Sequence, residues 1–124
     1  MKNKKENIIY LFHIRDAIEK ILGYLKDHDY EALQENEWDR DAVARNLEII
    51  GEAANNLTSD FCKKFDEVSW RKIIDLRNVV VHDYAELDLK IIWNIITQDV
   101  PELLEKINKI ISELELMKGK VLKK

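Results

Sequence analysis

The chain holds one cysteine, one proline and three glycines in 124 residues, and each shortage closes off a class of structure. A lone Cys62 cannot form an intrachain disulfide, and no Cys/His group has the spacing of a zinc site. So few glycines and prolines leave too little turn material for hairpins or a β-sandwich. No apolar run approaches the roughly 18 to 20 residues needed to span a bilayer. The opening MKNKKEN leads into an amphipathic pattern rather than a signal-peptide core, which predicts a cytoplasmic protein without membrane contact. Bases are also outnumbered, 20 against 24, and a net charge of −4 excludes a generic polycation that coats nucleic acid by counterion release. Any RNA contact must be local.

What is present is a folded composition, 46% hydrophobic and 35% charged, of a length that suits one domain over 1–124. Leu11, Ile14, Ile18, Ile21 and Leu25 step by three and four and predict a first helix from about residue 5 to 27. Tyr30 to Leu33 adds one short turn. A second helix carries Val43, Leu47, Ile50, Ala54 and Leu57, and a third, with Ser69 as its N-cap, carries Trp70, Ile73, Arg77, Val80 and Tyr84. The last repeats three and four through Leu89, Trp93, Ile96, Val100, Leu103, Ile107, Ile110 and Leu114. Pro101 lies inside it and predicts a kink, because it lacks a backbone donor and crowds the preceding turn; Asp99 is the alternative, as the cap of a fresh helix. Four such helices predict an all-α, antiparallel, up-and-down four-helix bundle. Residues 116–124, with Gly119 and four lysines, read as a frayed basic tail.

Charge is unevenly placed. From 27 to 60 ten acids stand against Arg40 and Arg45, whereas from 61 to 82 five bases stand against Asp66, Glu67 and Asp75. Within the basic stretch, Arg77 has Ile73, Ile74, Val80 and Val81 as its helical neighbours, so none can pair with it. Its ordinary role is an ion pair to another helix; the other is an anion held by its guanidinium. His82 lies four residues after Asn78, where the amide can hold the imidazole in one tautomer, although a helix-end histidine ordinarily serves the dipole. Five residues put Arg77 and His82 about 140° apart and about 7.5 Å along a straight helix, too far to share one phosphate. Local unwinding at His82-Asp83-Tyr84, or a two-fold dimer, brings them round a common cleft. Gly51 interrupts the second helix beside Ala53 and Ala54, which predicts a close helix contact there. Arg45, Glu48 and Glu52 are surface pairs or reach toward Arg77. Trp38, Trp70 and Trp93 pack the core or a subunit interface.

Arg77-Asn78-Val79-Val80-Val81-His82-Asp83-Tyr84 reads R-N-x-x-x-H-x-Y and resembles the signature of HEPN-superfamily ribonucleases, most closely the HepT toxins. Arg45 through Ala53 resembles that family's second-helix segment, and Trp93 through Leu103 its kinked last helix. The resemblance implies a homodimer whose paired motifs form a metal-independent RNase cleft without a cofactor. It implies Arg77, Asn78 and His82 as catalytic residues; for such a nuclease the acidic total charge confines RNA binding to a cleft fed by Arg71, Lys72 and Arg77. It also implies an antitoxin partner of the MNT nucleotidyltransferase class, which transfers AMP to Tyr84. The same resemblance admits a non-catalytic module that holds a small nucleotidyltransferase, and the acidic total charge leans that way.

Overall fold

The computed structural model describes residues 7–83 and 89–122, the side chains of 79–83 and 118–122 excepted, and every regular element among them is helical. In order these are α1 Asn7–Leu25, α2 Tyr30–Glu35, α3 Glu37–Asn55, α4 Ser59–Lys64, α5 Trp70–Asp83, α6 Leu89–Asn94 and α7 Val100–Leu122. A π-turn at Ile95–Asp99 joins α6 to α7. No helix among the described residues is long and apolar enough to cross a membrane.

Three of the starts have a side-chain cap. Asp29 accepts from the Ala32 amide at 2.9 Å to begin α2, and Asn36 accepts from the Asp39 amide at 3.2 Å to begin α3. Thr58 caps α4 through the Phe61 amide at 3.2 Å. That cap is itself held from afar: the buried Asn7 accepts from the Thr58 amide at 3.1 Å and donates to its hydroxyl at 3.2 Å. Helix α4 was not expected from the sequence, because Phe61 and Phe65 give only a single i,i+4 pair and no longer period.

The centres of the period-3.6 stripes are buried and several of their ends, Leu25, Leu89 and Leu114 among them, are half-buried; the side chain of Val80 and all of Tyr84 lie outside the described residues. Leu11, Ile14, Ile18 and Ile21 of α1, with Leu47 and Ile50 of α3 and Ile107 and Ile110 of α7, are almost wholly enclosed. Helix α3 packs against both α5 and α1, and α1 in turn against α7. The tryptophans divide. Trp38 is 85% exposed and is no part of this core, since nine residues separate it from Leu47 and turn it about 180° to the polar side of α3. Trp70 is buried, and Trp93 is half-buried and packs against the core, edge-on to Tyr30 at 5.7 Å and beside the buried Ile92.

Around Pro101 the helical run from Leu89 to Leu122 does not break. The chain accommodates the missing donor with the π-turn, in which the Val100 amide reaches back to the Ile95 carbonyl. Thr97 Oγ1 donates to the Trp93 carbonyl at 2.7 Å within the same turn. Asp99 therefore lies inside the π-turn rather than starting a separate helix. Helix α7 continues to Leu122 and takes in most of the stretch read as a tail; Lys123 and Lys124 lie outside the described residues.

Candidate functional site

Helix α5 carries Arg71, Lys72, Arg77, Asn78 and His82 of the sequence-predicted site and is anchored at its start. The Ser69 carbonyl accepts from the Ile73 amide at 3.2 Å, and the buried Trp70 indole donates to the Phe65 carbonyl at 2.9 Å. Leu76 is buried, Ile73, Ile74 and Arg77 are half-buried, and Arg71, Lys72, Asp75 and Asn78 are exposed. One side of the helix thus goes inward and carries Arg77 with it.

The contact that sets its depth is at Gly51 of α3. A Cβ placed on Gly51 would lie 3.0 Å from the Arg77 Cβ, 3.0 Å from the Arg77 amide nitrogen and 3.1 Å from the Ile74 carbonyl oxygen. The close contact expected at Gly51 is present, and its partner is Arg77. Glu48 turns to Arg45 on its own helix at 3.5 Å, the ordinary i,i+3 surface pair. Among the described residues no carboxylate lies within ion-pair distance of Arg77, so the cross-helix salt bridge to Glu48 or Glu52 does not form there. Arg77 is a half-buried residue, and its guanidinium is always charged.

Lys72 lies at a cleft of about 210 Å³ between the start of α5 and the start of α7, with Ser69, Ile73, Asp99 and Lys106 also on its walls. Lys106 was not picked out in the sequence because its i,i+4 pairing with Glu102, 3.2 Å apart, reads as a surface feature. Arg71 is exposed but does not line this cleft. The His82 side chain and all of Tyr84 lie outside the described residues, and so does the part of the motif that depends on them.

A second ionisable cluster ties the end of α1 to the start of α3. His28 Nδ1 is 2.9 Å from the Tyr24 carbonyl and 2.8 Å from Asp27, and its ring stacks on Tyr24 at 4.1 Å. The carbonyl bond pushes the His28 pKa up, with Asp27 and Asp39 adding to it. The Tyr24 hydroxyl donates to Asp39 at 3.0 Å, and burial together with that carboxylate pushes the phenol up to about 12.

The family model described as Ribonuclease HepT-like matches residues 14–110. The chain belongs to the HepT-like ribonuclease family. Relatives agree with this. A Methanocaldococcus jannaschii protein, named as a gamma-glutamylcyclotransferase and provisionally as an RNase, is 36% identical over 94% of this chain, which spans only 52% of that protein. Another from the same organism, provisionally named an RNase, is 34% identical over 85% of this chain and 96% of its own length. A provisionally named ribonuclease HepT from Thermococcus cleftensis is 33% identical over 86% of this chain and 97% of its own. No solved structure matches. This HepT-like chain keeps the R-x4-H-x-Tyr string whole, from Arg77 through His82 to Tyr84.

Proposed function

We propose that this HepT-like chain is the endoribonuclease toxin of a toxin–antitoxin pair and cleaves RNA, with tRNA as the first substrate to try. The observation that carries the reading is Arg77, a half-buried arginine without a carboxylate partner among the described residues, on the helix that also bears Asn78 and His82. A charge placed this way has no ion-pair partner among the described residues and suits a phosphate.

RNA brings its own nucleophile. The 2′-oxygen attacks the adjacent phosphorus as one His82 imidazole takes its proton, the bond from phosphorus to the 5′-oxygen breaks, and a second imidazole protonates that leaving oxygen. Arg77 neutralises the charge that builds on the phosphorane, and Asn78 orients its neighbour. The products are a 2′,3′-cyclic phosphate and a 5′-hydroxyl, and no metal is required. Two histidines at one phosphate call for two copies of the chain about a two-fold axis, the homodimer of this reading. Each copy is one domain of 1–124. Arg71 and Lys72 supply local attraction for the RNA backbone.

Neutralisation follows from Tyr84. A nucleotidyltransferase of the MNT class presents ATP, the tyrosine oxygen attacks the α-phosphorus, and pyrophosphate leaves. The AMP so attached puts a bulky anion at the cleft where RNA phosphates must lie.

The test is cleavage of total RNA and purified tRNA by the unmodified chain in EDTA, beside His82→Ala prepared identically. Cutting by the wild type alone, with cyclic-phosphate ends, supports the reading. If neither chain cuts, and intact mass shows no adduct, the non-catalytic partner-binding module takes its place.

A further inference from the structure

We infer that Gly51 is the positioning residue for Arg77: the missing side chain on α3 fixes how deeply α5 sits and hence where the guanidinium is presented. The geometry stands by itself, whereas its consequence for catalysis rests on the ribonuclease reading above.

A Cβ on Gly51 would stand 3.0 to 3.1 Å from three atoms of α5, where ordinary van der Waals contact begins at 3.4 Å. Two of those atoms are backbone, the Arg77 nitrogen and the Ile74 oxygen, and the third is the Arg77 Cβ. None can swing away by changing rotamer, so relief requires the helix itself to retreat by several tenths of an ångström. Arg77 and Asn78 retreat with it. Gly23 provides the contrast, since a Cβ there meets nothing within 4 Å. Gly51 is interior to α3 and Gly23 lies in the last turn of α1; both substitutions by alanine gain helix propensity, and of the two only Gly51 is seated against α5.

Catalytic geometry is steep in distance, with a 1 Å misplacement costing on the order of 100-fold. A displacement of several tenths of an ångström then lowers kcat about tenfold. KM changes less, because Arg71 and Lys72 are exposed and their long flexible side chains can still reach the RNA backbone after a shift of this size.

The experiment compares Gly51→Ala, Gly23→Ala and the double variant on three readouts. These are kcat and KM per folded molecule, folded fraction by circular dichroism, and the nuclear magnetic resonances of the α5 amides and the Arg77 Nε–H. The expected result is wild-type behaviour for Gly23→Ala. For Gly51→Ala it is a roughly tenfold loss of kcat, a KM within about twofold, and resonance changes centred on Ile74–Asn78. Equal kcat for the two alanine variants overturns the inference, as does a loss of kcat with the α5 resonances unmoved. Failure of Gly51→Ala to fold even with Gly23→Ala present overturns it too, since Gly51 is then a folding residue. If the wild type cuts no RNA, the ribonuclease reading fails, and the resonances alone decide whether Gly51 seats Arg77.

Discussion

Asn7 gives the sharpest test of how this chain closes on itself. Its amide spans 51 residues of sequence to grip Thr58, accepting from the backbone amide at 3.1 Å and donating to the hydroxyl at 3.2 Å. The same hydroxyl caps α4 through Phe61. Replacing Asn7 with Ala removes two neutral hydrogen bonds worth about 1 kcal/mol each, and it strands the Thr58 amide in a partly buried place at a further cost of about 1 kcal/mol. The expected loss is about 2 to 3 kcal/mol, or roughly 8 to 12 °C in Tm for a chain of this size. Asn7→Asp recovers part of it, because a carboxylate still accepts from the Thr58 amide and the hydroxyl can turn to donate. Asn46→Ala is the control. Its side chain bonds the Ala42 carbonyl at 2.9 Å on the exposed side of α3, so removing it shifts stability by less than about 0.5 kcal/mol. Urea denaturation of the three variants reads all of this directly. Equal stability of Asn7→Ala and Asn46→Ala would refute the clamp.

Three further outcomes are expected. Trp70→Phe loses about 1 to 2 kcal/mol in denaturant titrations because the Phe65 carbonyl loses its donor, whereas Trp38→Phe changes nothing measurable; the reverse order would mean the two indoles are misassigned. The His28 pKa is raised above 6.5 in the fold, so its contribution to stability is complete below that value and is lost as pH rises through the folded pKa. His28→Gln removes this pH dependence, and an imidazole titrating at or below 6.5 would mean that the Tyr24 carbonyl is not its partner. The Tyr24 phenol, raised from 10.0 to about 12, ionises late in a phenolate absorbance titration, and the stability it contributes is lost above pH 10. Asp39→Asn returns only part of that shift, because burial is the larger cause.

The long stripes were legible because each residue in them reports the same period. Leu11, Ile14, Ile18 and Ile21 share one face in a helix but are split between two in a strand, and the structure buries all four on a helix. Trp38 was legible too, had angle outweighed hydrophobicity: nine residues from Leu47 is half a turn out of phase. Helix α4 was not, because its start depends on Asn7, and nothing local in Thr58-Ser59-Asp60 announces a partner half the chain away. Pro101 signalled a distortion, but the form it takes is set by Thr97 and the Val100 amide, which turn a break into a π-turn. At the site, Gly51 implied a close neighbour, whereas the choice of Arg77 as that neighbour is a tertiary fact.

The acidic total charge is compatible with an RNA substrate only if binding is local, and salt dependence measures how local. Exposed acids such as Glu31, Glu35, Glu37 and Asp41 fall on α2 and the start of α3, while Arg71, Lys72 and Arg77 share α5. If those three cations alone meet phosphates, the logarithm of the binding constant falls against the logarithm of salt with a slope of about −2 for one copy, at −0.7 per contact on single strands. Two copies round one RNA double it to about −4. The His82→Ala chain, which the proposed mechanism makes inactive, allows the slope to be read on intact RNA by fluorescence anisotropy. Arg71→Gln then lowers the slope by about 0.7 if one copy binds and by about 1.4 if two do. A slope well beyond −4 would place contacts outside α5, and a slope near zero would remove RNA as the ligand of this face.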